Sequence, residues 1–263
     1  MHSPLATITF LGTGTSQGIP MIACPCPVCS SLDFRDKRLR SSIHIAYEGQ
    51  SIVVDSGPDF RQQMLRNRIM TLDGIVFTHE HKDHIAGLDD VRGYNFRQNR
   101  PMPLFAQQRV LDRLKVEFAY AFGEHKYAGV PELELYPVAA GVPFELAGLE
   151  ITPIEVMHFK LPILGFRIAD FVYITDAKTI DPDQLDLIRG AKTIVFNGLQ
   201  EEPHNSHFTL AEVLEVIEEL NPDAAYLTHI SHRLGKHADV EATKLPANVF
   251  LAYDGLQIQI PIN

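Results

Sequence analysis

One stretch restricts this chain more than any other. Thr78-His79-Glu80-His81-Lys82-Asp83-His84 closes the apolar, β-branched run Gly74–Thr78. Histidines at alternate positions cannot share one face of a helix, but a loop leaving a strand can turn several side chains toward one point. Neutral imidazole and carboxylate are the ligands that borderline divalent metals prefer. The fold must therefore end this strand in a polar pocket and bring further donors to it. A solvated polar loop is the bland alternative. Three His and one Asp packed into His79–His84, at a strand end, argue against it.

Other short apolar runs read as strands: Thr7–Leu11, Ile43–Tyr47, Ser51–Asp55, Leu133–Pro137, Leu149–Val156, Gly165–Ala169, Phe171–Thr175, Thr193–Phe196, Ala224–Thr228 and Gly255–Ile260. The pair around Phe144–Gly148–Ile151 reads as a hairpin. Helical patterns are fewer. Pro58–Asn67 starts on a Pro, whose missing N–H costs nothing in a first turn. Arg109–Phe122 has helical spacing, and Thr209–Leu220 opens with the capping box Thr209-Leu-Ala-Glu212. With strands in excess and hairpins among them, the expectation is α/β: two sheets with covering helices, in a single domain over residues 1–263.

The pattern H-x-H-x-D-H resembles that of the metallo-β-lactamase-fold hydrolases. The resemblance implies a four-layer αββα sandwich with a dinuclear metal site at one edge. It also implies further ligands, each following a strand. His158 stands after Leu149–Val156, Asp176 closes Tyr173-Ile174-Thr175-Asp176, and His229 closes Tyr226-Leu227-Thr228-His229. Asp55, in Val53-Val54-Asp55-Ser56-Gly57, corresponds to an acidic residue supporting the ligands. By resemblance, His79, His81 and His158 hold one metal, Asp83, His84 and His229 hold the other, and Asp176 bridges them. Such a pair activates water and steadies both attacking and leaving oxygens. Zinc, manganese and iron all suit these donors. The β-lactamases of this fold carry Cys at the place of Asp176, which disfavours antibiotic hydrolysis. The oxygen-reducing di-iron relatives carry Glu at the place of His81, which disfavours redox chemistry.

The three cysteines form a second cluster, Cys24-Pro25-Cys26-Pro27-Val28-Cys29. An odd number at such close spacing is not a disulfide framework. A structural zinc needs a fourth ligand, and His232, three residues beyond His229, is the leading candidate. Free thiols are the alternative reading. An N-terminal zinc loop with that histidine is similar to the phosphoribosyl cyclic phosphodiesterase group of the fold, as is Phe10-Leu11-Gly12-Thr13-Gly14. That group implies one more His, 22 residues before His229, and His207 stands there. Asp83 and His207 are then the residues expected to act in the reaction. His207 would protonate the leaving oxygen, with the helix start beside it offering N–H groups to phosphate. His204 is a weaker competitor. His2, His44, His125 and His237 receive no role.

Gly12-x-Gly14 has Gln17 where a dinucleotide fingerprint needs its third Gly, and reads as a turn. Asp89, Asp90, Arg92, Arg97 and Arg100 read as a charged face. With 23 Lys and Arg against 33 Asp and Glu, the net charge is −10, unsuited to gripping a long nucleic acid. No apolar run reaches the roughly 20 residues of a membrane span, and Met1-His2-Ser3-Pro4 does not open a secretory signal. The expectation is a cytoplasmic hydrolase of small or cyclic phosphodiesters, of the phosphoribosyl cyclic phosphate kind, with resemblance adding a homodimer. The alternatives are an oxidative metalloenzyme like the pyrroloquinoline-quinone-biosynthesis relative, or a thioester or lactone hydrolase of the same fold.

Overall fold

Alternation along the strands sorts side chains into separate layers. In Gln50–Val54, Ile52 and Val54 join one buried cluster while Val53 joins another. In Phe171–Tyr173, Phe171 and Tyr173 point one way and Val172 the other. Strands buried on both faces in this way belong to sheets covered on both sides.

The computed structural model describes residues 4–123 and 127–262; His2 and His125 lie outside them. Its strands, in chain order, are β1 (Leu5–Gly12), β2 (Ser42–Tyr47), β3 (Gln50–Val54), β4 (Gly74–Val76), β5 (Met102–Ala106), β6 (Leu133–Pro137), β7 (Phe144–Leu146), β8 (Leu149–His158), β9 (Leu161–Ile168), β10 (Phe171–Tyr173), β11 (Thr193–Asn197), β12 (Ala224–Thr228), β13 (Val249–Leu251) and β14 (Gln257–Pro261). Among the described residues they form two mixed sheets, ordered β14-β1-β2-β3-β4-β5-β6 and β13-β12-β11-β10-β9-β8-β7. In each sheet one half is antiparallel and the other parallel.

Ile8, Phe10, Ile43, Ile45, Ile52 and Val54 of the first sheet meet Ile151, Leu164, Phe166, Phe171 and Tyr173 of the second. Helices Phe60–Arg66 and Gln108–Glu117 cover the outer face of the first sheet through Phe60, Met64, Val110, Leu111 and Leu114. Helices Pro182–Ile188, Leu210–Leu220 and His237–Thr243 cover the second through Ile188, Val213, Ile217 and Val240. The layers are αββα.

Several details differ from the sequence reading, which has no counterpart of helices Arg92–Gln98, Pro182–Ile188 and His237–Thr243. Arg109–Phe122 is not one helix: Phe118, at φ −114° and ψ 38°, separates Gln108–Glu117 from Ala119–Phe122. Strands β5 and β13 were not expected. Pro103 disguises β5, and β13 is only three residues long.

His44 of β2 hydrogen-bonds Ser51 of β3 at 2.8 Å, and burial pushes its imidazole pKa down to about 4. The unfolded chain takes up a proton near pH 6.5, before the native state does, so stability falls as pH drops from 6.5 toward 4. Between pH 7 and 4.5 the wild type should lose roughly 2 kcal/mol more than His44→Gln. Urea unfolding of both proteins at the two pH values measures this. Equal losses would show that the buried imidazole does not set the acid sensitivity.

Candidate metal centre

The expected site residues meet at one edge of the sandwich, where strands end. Asp55 follows β3, His79–His84 follow β4, His158 closes β8, Asp176 follows β10 and His229 follows β12. Three of these turn sharply: Asp55, Asp176 and His229 have φ of 64°, 60° and 53°. Left-handed backbone in non-glycine residues carries strain, and here it aims each side chain back across its own strand end. Gly57 lets the β3 loop cross the histidine loop, since a Cβ there would strike the carbonyl oxygen of Asp83.

Asp176 is the centre of the cluster. His229 Nδ1 lies 3.0 Å from its Oδ1, while His207 Nε2, His84 Nε2 and His79 Nε2 lie 3.3, 3.5 and 4.0 Å from Oδ2. His79 Nε2 and His81 Nδ1 are 3.0 Å apart, and His84 Nε2 is 3.2 Å from Asp83 Oδ2. Three overlapping donor sets result: His79, His81 and His158; Asp83, His84, Asp176 and His229; and His158, Asp176 and His207. Within each set the donor atoms lie within 4.8 Å of one another. His84 Nε2 and His229 Nδ1 are buried yet make no hydrogen bond, despite their nearness to carboxylates. Buried imidazole nitrogens without a hydrogen bond are costly unless something else fills the coordination, and a cation does so. The donor chemistry therefore fits divalent metal ions.

The opposite ring nitrogens are held from behind. His84 Nδ1 donates to Asp55 Oδ2 at 2.7 Å, and His158 Nδ1 donates to the carbonyls of Asp176 and Ser206. Such contacts fix the ring and leave Nε2 free for a metal. Burial pushes the pKa of His79 and His158 down, and that of His229 to about 3, so these rings are neutral. For His84 burial acts in the same direction, but Asp83, Asp176 and Asp55 prevail and hold a proton on it in the absence of a cation. A metal replacing that proton satisfies the same carboxylates.

Cys24, Cys26, Cys29 and His232 also converge. The Sγ atoms of Cys24 and Cys26 lie 3.4 and 3.3 Å from His232 Nδ1. The backbone N–H of Cys29 donates to Cys26 Sγ, and with His232 it lowers the Cys26 pKa to about 6. Three sulfurs and one imidazole at this spacing suit a tetrahedral zinc.

Comparison with known proteins agrees with this geometry. A model of the beta-lactamase superfamily domain matches residues 50–230. The chain belongs to that superfamily. A crystal structure described as a new diphosphatase from the PhnP family superimposes with a TM-score of 0.92, at 38% identity and over 98% of each chain. The chain is thus a metallo-β-lactamase-fold, metal-dependent hydrolase related to the PhnP family. An octanoyltransferase of Porphyromonas gingivalis is 37% identical over 94% of this chain; the chain spans half the length of that protein. A coenzyme PQQ synthesis protein B of Methylobacterium nodulans is 28% identical over 72% of this chain and 71% of its own. No helix of the described residues is long and apolar enough to cross a membrane.

Most of the first N–H groups of the helix after His207 are engaged within the protein. Thr209 N donates to Glu212 Oε2, Glu212 N to Thr209 Oγ1, and Leu210 N to the carbonyl of Gln200. The capping box that made the helix legible takes the N–H groups of Thr209 and Glu212, and the Gln200 carbonyl takes that of Leu210. Threonines preceding ligands escaped the sequence reading. Thr78 donates from both N and Oγ1 to Asp55, and its hydroxyl lies 2.9 Å from His79 Nδ1. Asn197 pairs twice with Ala177, fixing the turn after Asp176. A cavity of about 570 Å³ lies elsewhere, between helix Phe60–Arg66 and helix Arg92–Gln98. None of the clustered histidines lines it.

Proposed function

We propose that the chain is a phosphodiesterase with two divalent cations at this centre and one structural zinc, acting on small or cyclic phosphodiesters. His79, His81 and His158 would hold one cation and Asp83, His84 and His229 the other, with Asp176 available to both. Zinc, manganese and iron all suit the donors. The observation that carries the reading is His207 Nε2, 3.3 Å from Asp176 and inside the same cluster, where it is placed to serve the leaving oxygen of a diester. A cation pair supplies an activated water and offsets charge on the phosphoryl oxygens when bound.

The chain's own groups do the rest. Burial opposes ionisation of Asp83, but His84 prevails and holds its carboxyl well below the usual range, so it is ionised and can orient the attacking water by accepting a hydrogen bond from it. His207 gives a proton from Nε2 to the leaving oxygen. Ser206 Oγ and His204 Nδ1, 3.0 and 3.1 Å from His207 Nδ1, steady its far nitrogen. Asp55 orients His84. The diphosphatase description of the 38% identical structure supports a substrate with phosphorus at its centre. The family resemblance adds a homodimer in the cytoplasm.

The test is a phosphodiester panel, including ribose 1,2-cyclic and nucleoside cyclic phosphates, on wild type and His207→Ala. The variant should keep its metals and lose on the order of 10²-fold in turnover, most on the poorest leaving groups. An unchanged rate would return His207 to a structural role. Oxygen consumption by an iron-loaded protein that splits no diester would favour the oxidative reading.

A further inference from the structure

Among the described residues four two-residue hairpin turns join strands, and each opens on a residue that such turns do not prefer, Phe159 being the bulkiest. Glu48-Gly49 joins β2 to β3, Ala147-Gly148 joins β7 to β8, and Ala169-Asp170 joins β9 to β10. Each opens on a residue of positive φ, 47°, 53° and 49°. Such turns favour Gly, Asn and Asp. The fourth, between β8 and β9, spends the same position on Phe159, at φ 56°, followed by Lys160. It is the turn that directly follows His158.

A bulky aromatic in left-handed backbone is a strained choice. Nothing in the core repays it, since Phe159 is 57% exposed. Its ring lines a cavity of about 540 Å³ with His81, His158, Leu161 and Asn205, at the mouth of the metal centre. Lys160 Nζ stands 5.4 Å from the ring centroid. Strain retained at a site mouth, in an exposed aromatic residue whose ring has Lys160 over one side, points to a ligand on the ring and not to packing.

We infer that Phe159 and Lys160 are specificity-determining residues that receive one arm of the substrate: a flat aromatic group, such as a nucleobase, stacked on Phe159, with Lys160 beside it for an anionic or carbonyl oxygen of that arm. The inference rests on the phosphodiesterase reading and narrows its substrates to nucleoside-bearing diesters or diphosphates. Stacking acts equally before and during reaction, so it is felt in KM and not in kcat.

Two measurements test it on the metal-loaded protein. By calorimetry, wild type should bind AMP about tenfold tighter than ribose 5-phosphate, and Phe159→Asn should bind both alike, while Phe159→Trp keeps the preference. With the methyl esters of AMP and of ribose 5-phosphate as diester substrates, Phe159→Asn should raise KM for the adenosine ester about tenfold, with kcat within about twofold. Asn suits the turn, so the same variant should raise Tm by about 2 °C. A residue serving only the fold would lower it. No AMP preference in wild type, a preference surviving in Phe159→Asn, or a lowered Tm in that variant overturns the inference. If neither ester is split, the phosphodiesterase reading fails, and the AMP binding still decides this one.

Discussion

Asp176→Asn should lower turnover on the order of 10³-fold and leave the protein with fewer than two metals per chain at the histidine centre. The backbone hardly objects to the change, because Asn tolerates left-handed conformation as well as Asp does. The turn is also held independently by Asn197. What is lost is the charge. Four imidazoles lie within 4.0 Å of this carboxylate, and the neutral amide can no longer join two cations. Without a cation, Asp176 is still held ionised. Burial raises its pKa, but His229 and His84 overcome this and hold it well below the carboxylate range. Metal analysis of the purified variant beside its turnover on an activated diester makes the check. Two retained metals with more than a tenth of wild-type turnover would remove Asp176 from its central place.

The legible part of the site was the part written locally. His79–His84 sits in one stretch, and its spacing alone demanded a metal-binding strand end. Cys24–Cys29 announced itself in the same way. His158, Asp176 and His229 carry no such signal singly; each is one polar residue after an apolar strand, and only their order along the chain exposed them. Phe159 and Thr78 could not be found by residue type. A turn phenylalanine looks like a stray apolar residue until its φ is known, and Thr78 looks like the last residue of a strand until Asp55 is seen beneath it. In the fold, short apolar, β-branched runs mark most of the strands and the capping box marks helix Leu210–Leu220. The three-residue β13 and the Pro-bearing β5 fell below what a pattern can carry, because their place is set by neighbours across the sheet.

Removing the zinc from the cysteine cluster should cost both stability and catalysis, although the cluster takes no part in the chemistry. Cys24, Cys26 and Cys29 belong to the segment before β2, whereas His232 stands three residues beyond His229. Backbone bonds already couple the two loops, from Ile230 N to the Thr13 carbonyl at 2.9 Å and from Thr15 N to the Ile230 carbonyl at 3.0 Å. The hydroxyl of Thr15 lies 3.2 Å from His229 Nε2. A metal pinning both loops holds this contact, so its loss frees His229 to move. Zinc binding to unfolded finger peptides is worth about 10–16 kcal/mol, but here it closes a loop on sheets that fold around their own cores, so a net of about 4 kcal/mol is the expected scale. For a domain of this size that is a Tm lower by about 8–16 °C. Cys26→Ser should show the shift, one zinc fewer per chain, and a fall in kcat exceeding that in metal occupancy at the histidine centre. A Tm unmoved by Cys26→Ser would mean that the three sulfurs are ordinary thiols and that Thr15 and Ile230 alone keep His229 in place.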